Sequence, residues 1–109
     1  MTPNKTVFIT GASRGIGRAI AIRFAAAGYQ LALCCRQNTQ LLEDLQQLII
    51  SQYHTDCLIF TGDTGDYHQL EAMISETIAR FHHIDVLVNN AGISYIGLLT
   101  DMSPDDWQR

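Results

Sequence analysis

The segment Thr10-Gly11-Ala12-Ser13-Arg14-Gly15-Ile16-Gly17 spaces its glycines G-x-x-x-G-x-G. Glycines so placed let a backbone turn tightly and come close to a pyrophosphate. A helix starting there adds free N–H groups and a positive dipole end for the anion. The spacing is not the G-x-G-x-x-G of the common dinucleotide fingerprint, but the surroundings are right, with a strand pattern before it and a helix pattern after it. A P-loop would need Lys and then Ser or Thr after the last glycine, where this chain has Arg18. The expectation is a phosphate-binding turn; the plain alternative is a turn only.

A second group lies further on. An Asp or Glu about 20 residues past such glycines would meet a free ribose 2′-hydroxyl. That count reaches Arg36 and Gln37, and neither is an acid. A guanidinium there suits a 2′-phosphate, which it can contact with two N–H groups. Arg14, inside the glycine turn, could reach the same phosphate. The expected cofactor is NADP(H) in preference to NAD(H); the plain alternative makes both arginines solvated surface charges. A third group, Asn89-Asn90-Ala91-Gly92, ends an apolar run on the side where open parallel sheets bind ligands.

The elements that must hold these residues alternate. Thr6–Thr10 reads as a buried strand, and Gly15 to Ala27 as a helix with Ile16, Ala19, Ile20, Phe24 and Ala27 on one face, stopped by Gly28. Gln30–Cys35 is a second strand. A helix capped by Asn38 or Thr39 follows, with Leu41, Leu42, Leu45, Leu48 and Ile49 on its apolar face. Cys57–Thr61 is a third strand, closed by Gly62-Asp63-Thr64-Gly65. Asp66 with Gln69 has the form of a capping box for a third helix carrying Leu70, Met73, Ile74, Thr77, Ile78 and Phe81. Asp85–Asn89 is a fourth strand, and Ser103-Pro104-Asp105-Asp106 announces one more helix.

This order predicts an α/β fold: the first half of a Rossmann-type doubly wound parallel sheet, βαβαβαβ plus the start of a helix, with right-handed crossovers. The strands are continuous apolar runs, as when helices cover both sheet faces. The fourth strand is expected to be left as an apolar edge.

The 109 residues carry a formal charge of −4 and 47% apolar content, which suits one small globular domain and excludes a disordered or collagen-like chain. With no basic run, electrostatics give no support to nucleic-acid binding. No apolar run is long enough to span a membrane, and the start, Met1-Thr-Pro-Asn-Lys-Thr, does not read as a targeting peptide. Cys34, Cys35 and Cys57 form neither a disulfide framework nor a C-x-x-C pair, so a reducing cytoplasm is expected. His82 and His83 fit the negative end of the third helix better than a metal site. No metal ligand set is expected.

Together, the glycine turn, Asp63 after the third strand and Asn89-Asn90-Ala91-Gly92-Ile93 after Asp85-Val-Leu-Val closely resemble the short-chain dehydrogenase/reductase family, above all its 3-oxoacyl-acyl-carrier-protein reductase-like members. The resemblance runs through essentially the whole chain, Trp107 included. It implies that Gly11, Gly15 and Gly17 form the pyrophosphate turn together with Ala12, and that Ser13, Arg14 and Ile16 line it. Asp63 would accept from the adenine amino group, and Thr64 would present backbone to that ring. Asn90, Ala91 and Gly92 would pass the ribose toward the nicotinamide. Tyr95 would lie in the loop that borders the substrate cleft in this family. Residue by residue, Asp63 could instead satisfy loop N–H groups, Asn90 pin the sheet, and Gly92 only turn.

The family reduces a carbonyl with a Tyr acid, a Lys four residues later that lowers the Tyr pKa, a Ser and an Asn. Here the residues four past Tyr29, Tyr53, Tyr67 and Tyr95 are Leu33, Cys57, Glu71 and Leu99, and the sole lysine is Lys5. No catalytic residue is assigned to this chain. Residues 1–109 are expected to be an NADP-binding domain cut off before the catalytic half of a reductase of small-molecule carbonyls, whose whole form is a homo-oligomer. The alternatives are a free-standing dinucleotide-binding module and a non-catalytic remnant.

Overall fold

A computed structural model describes residues 4–13 and 15–90, and the backbone of 96–97. The expectations for Arg14, Ala91, Gly92, Tyr95 and the helix at Ser103 with Trp107 lie outside the described residues.

The order of elements is β1 (Thr6–Thr10), α1 (Gly15–Ala26), β2 (Gln30–Cys35), α2 (Thr39–Tyr53), β3 (Cys57–Thr61), α3 (Tyr67–Phe81), β4 (Val86–Val88) and β5 (Ile96–Gly97). The sheet runs β3-β2-β1-β4-β5. The first four strands are parallel, with Val7 opposite Leu31 and Val86, and Leu31 opposite Cys57. This is the expected α/β arrangement: each helix carries the chain back over the sheet to the next parallel strand.

One expectation fails at the rim. β4 is not left as an open edge, because β5 pairs with it antiparallel, Leu87 opposite Gly97 and Val88 opposite Ile96. An unpaired apolar edge exposes N–H and C=O groups that a nearby segment can satisfy.

Alternate residues of each strand feed two cores. Val7, Ile9, Leu31 and Leu33 face α1 and α2, where Ala21, Ala25, Leu42, Leu45 and Ile49 are buried. Phe8, Ala32, Cys34 and Leu87 face α3, where Leu70 and Met73 are buried. Both faces are covered, which is why the strands read as unbroken apolar runs.

The helices seat differently from the simple stripes. In α1 the buried residues are Gly17, Ala21 and Ala25, while the expected Ile16 is 71% exposed and Ala19 and Ala27 are exposed; Ile20 and Phe24 are half-buried. Small residues let α1 lie close on the sheet, and proximity rather than side-chain size sets its inner face. Leu41 in α2 and Ile78 in α3 likewise face solvent, while Leu42, Leu45, Ile49, Leu70, Met73 and Phe81 are buried as expected.

Asn38 holds the N-cap position of α2 without a side-chain capping bond. Asp66 does cap α3, its Oδ1 accepting the N–H groups of His68 at 2.9 Å and Gln69 at 3.2 Å. Burial pushes the Cys34 thiol up to about 12, reinforced by adjacent Cys35, and pushes Cys57 to about 12, reinforced by Asp56. Both stay protonated at neutral pH and act as small apolar side chains.

Candidate cofactor site

β1, β2 and β3 end side by side, and the turns that follow hang on the last carbonyls of β2. The N–H of Ala12 donates to Cys34 O at 3.1 Å, and that of Gly62 to Cys35 O at 3.0 Å. The glycine turn and the β3–α3 turn therefore flank one cleft, whose two lobes have volumes of about 370 and 430 Å³. Gly11, Cys35 and Arg36 line both lobes; Asp63 and Thr64 line one, and Ser13 and Asn90 the other.

The floor is a cradle made by missing side chains. Gly11 sits at φ +63°, a left-handed conformation that costs a residue with a Cβ. A Cβ on Gly17 would run into the carbonyl of Gly11 and come within 2.9 Å of Asn90 Nδ2. The first turn of α1 thus presses against the strand end beside the cleft, and a helix start leaves N–H groups free for an anion. Such a cradle fits the diphosphate of a dinucleotide. Gly15 opens the helix, and Ile16 projects into solvent beside it. Ala12 is fully buried and its N–H is already bonded, so it shapes the turn from beneath; Ser13 is buried at the cleft wall.

Thr10, to which the spacing gave no role of its own, joins the Asn pair in holding the cradle in place. The Thr10 hydroxyl donates to Asn89 Oδ1 at 3.1 Å and accepts the Asn90 N–H at 2.9 Å. Asn90 Nδ2 then donates to Gly11 O at 3.3 Å. The plain reading of Asn90 as a pin is therefore part of the structure: it ties the end of β4 to the glycine turn. The identity of Thr10, a hydroxyl ending an apolar strand, was the available signal.

At the opposite rim Arg36 leaves the end of β2 and Asp63 the end of β3, with Arg36 Nη2 3.8 Å from Asp63 Oδ2. Asp63 also satisfies its own loop, Oδ1 accepting the Gly65 N–H at 2.8 Å. Its N–H donates to Gln69 Oε1 at 2.8 Å, so Gln69 reaches back to Asp63 rather than to the Asp66 N–H that a capping box requires. No group of three or more His, Cys, Asp or Glu residues is placed to hold a metal among the described residues. His82 ends α3 in a left-handed conformation, its N–H on Ile78 O, and His83 Nδ1 lies 2.7 Å from Asp85 Oδ2. No helix among the described residues is long and apolar enough to cross a membrane.

Comparison with known proteins agrees with this architecture. A family model described as short chain dehydrogenase matches residues 5–109. The chain is 44% identical over 108 residues to dehydrogenase/reductase SDR family member 7B of Bos taurus, covering 94% of this chain and 33% of that protein. It is 36% identical over 107 residues to the 3-oxoacyl-[acyl-carrier-protein] reductase FabG of Staphylococcus aureus, covering 98% and 43%. Among solved structures, the alcohol dehydrogenase from the archaeon Thermococcus sibiricus, complexed with 5-hydroxy-NADP, superposes with a TM-score of 0.76 at 35% identity, covering 93% of this chain and 43% of that one. The chain thus spans between a third and a little over two fifths of the curated relatives' length.

Proposed function

The chain belongs to the short-chain dehydrogenase family, and from that premise we propose that it is the cofactor-binding part of an NADPH-dependent oxidoreductase that reduces a small-molecule carbonyl. The observation that carries the reading is Arg36 at the end of β2, opposite the glycine cradle, where a cofactor with a free 2′-hydroxyl would call for a carboxylate.

In this reading Gly11, Ala12, Gly15 and Gly17 form the diphosphate cradle, with Ser13, Arg14 and Ile16 around it. Arg36, with Arg14, holds the 2′-phosphate. Asp63 and Thr64 meet the adenine, and Asn90, Ala91 and Gly92 lead past the ribose. The bound nicotinamide supplies the hydride. The 109 residues contain no Tyr-x-x-x-Lys, so none of them is assigned proton donation to the carbonyl oxygen. A 3-oxoacyl thioester is the substrate class we favour, by likeness to the S. aureus reductase. A cytoplasmic homo-oligomer is the form we expect, and the free thiols of Cys34, Cys35 and Cys57 suit that compartment.

The test is cofactor binding by the full-length protein, read by fluorescence titration. Arg36→Ala should weaken NADPH about tenfold or more, the worth of one or two charge-assisted hydrogen bonds, and leave NADH unchanged. An equal effect on both cofactors sinks the NADPH assignment.

A further inference from the structure

We propose that Asp63 sets how strongly the site prefers a 2′-phosphorylated cofactor, by competing with that phosphate for Arg36. The inference rests on the NADPH reading above and adds to it a determinant of selectivity in the turn after β3.

Three observations carry it. First, the two side chains face each other at one rim of the cleft they both line, Nη2 to Oδ2 at 3.8 Å, with 75% of the Arg36 and 43% of the Asp63 side chain exposed. That separation exceeds the 2.7–2.9 Å of a hydrogen-bonded ion pair. The attraction is therefore coulombic and well solvated, weak enough for an arriving phosphate to displace.

Second, the carboxylate is held in place. Oδ1 is committed to the Gly65 N–H, and the Asp63 N–H to Gln69 Oε1. Gln69 Nε2 in turn donates to Asp66 Oδ2 at 3.4 Å, which joins the loop to the cap of α3. Asp63 is thus anchored through its backbone and one oxygen, and its second oxygen faces Arg36.

Third, the charges act on one group of the cofactor. A phosphate monoester carries roughly −1.5 to −2 at neutral pH. Near Arg36 it meets both a competitor for the guanidinium and a like charge, whereas a 2′-hydroxyl meets neither penalty. Removing the Asp63 charge therefore shifts the balance toward NADPH, while any change in the adenine contact is shared by both cofactors and cancels in the ratio of their dissociation constants. In Asp63→Asn the amide oxygen still accepts the Gly65 N–H, so the loop keeps its shape.

The experiment measures dissociation constants for NADPH and NADH directly, by fluorescence titration, on the full-length protein, Asp63→Asn, Arg36→Ala and the double variant. Expected is a shift of about two- to fivefold in the NADH/NADPH ratio toward NADPH for Asp63→Asn. The shift should shrink at high salt and fall by at least half when Arg36 is already Ala. The proposal is overturned if the ratio does not move, if both cofactors change alike, or if the shift is the same with and without Arg36. If Arg36→Ala itself fails to separate the two cofactors, the NADPH reading falls and this inference with it. A discriminating Arg36→Ala beside a silent Asp63→Asn overturns the competition alone.

Discussion

The two ends of the parallel sheet are built in different ways from the same strands. At the carboxyl ends, β1 runs into the glycine cradle and β3 into Gly62-Asp63-Thr64-Gly65, leaving a cleft between them. At the amino ends, side chains and backbone close the sheet. Asp85 Oδ2 accepts the buried Thr6 N–H at 2.8 Å and lies 2.7 Å from His83 Nδ1, while the Asp85 N–H donates to Thr6 O at 2.9 Å. Thr6 Oγ1 donates to Gln30 Oε1, and Thr55 Oγ1 to Tyr29 O. One end keeps volume free by omitting Cβ atoms; the other pairs polar groups that burial would otherwise strand. Substitutions at the two ends should therefore separate ligand binding from stability.

The largest effect is expected in the cradle. Gly17→Ala places a methyl against the Gly11 carbonyl. Overpacking of this kind costs about 1–3 kcal/mol. Where the strain is relieved by shifting the cradle, cofactor affinity falls roughly ten- to a hundredfold. Titration with NADPH reads this, and an unchanged dissociation constant would remove the cradle from the site.

The converse experiment is at the amino end. Asp85→Ala leaves the N–H of Thr6, a residue with no solvent exposure, without its carboxylate acceptor. The expected loss is about 1–3 kcal/mol in urea unfolding, with the cofactor dissociation constant of the folded protein unchanged. Weakened binding at full folding would break the division between the ends.

A smaller effect sharpens the comparison, because it concerns a stabilising group on the cleft side. The Gln69 N–H, and then the His68 N–H and the Gln69 side chain, hold the Asp66 carboxyl below its ordinary range. A carboxylate with a lowered folded pKa stabilises above its unfolded value, near 4, and that contribution disappears as pH falls through the folded pKa. Asp66→Ala should thus lower the melting temperature at pH 7, and the gap to the unaltered protein should close in acid. Melting curves from pH 7 down to 3 check this; a gap independent of pH would show that the charge contributes nothing.

Much of the fold could be read along the chain. β1, β2 and β3 occupy Thr6–Thr10, Gln30–Cys35 and Cys57–Thr61 as their apolar runs predict, since buried parallel strands need little beyond local composition. β4, Val86–Val88, is shorter than the expected Asp85–Asn89, because Asp85 and Asn89 turn their side chains to polar work at the strand ends. The inner face of α1 was hidden: a search for large apolar residues selects Ile16, whereas close packing on a sheet selects Gly17, Ala21 and Ala25. In the site, the glycine turn was legible from spacing. The roles of Thr10 and Gln69 were not, because each acts through a hydrogen bond whose other end is set by folding.

The sequence alone determined the order of strands and helices through β4, the glycine turn and the absence of a carboxylate at Arg36. These rest on local chemistry: β-branched runs, helix spacing, and the backbone freedom of glycine. The tertiary structure decided what meets. It set Thr10 against Asn90, eighty residues apart in the chain, and brought Arg36, just past one strand, opposite Asp63, just past the next. Parallel strands joined by crossover helices place their carboxyl ends together in space, and no local pattern records which side chains will share that rim.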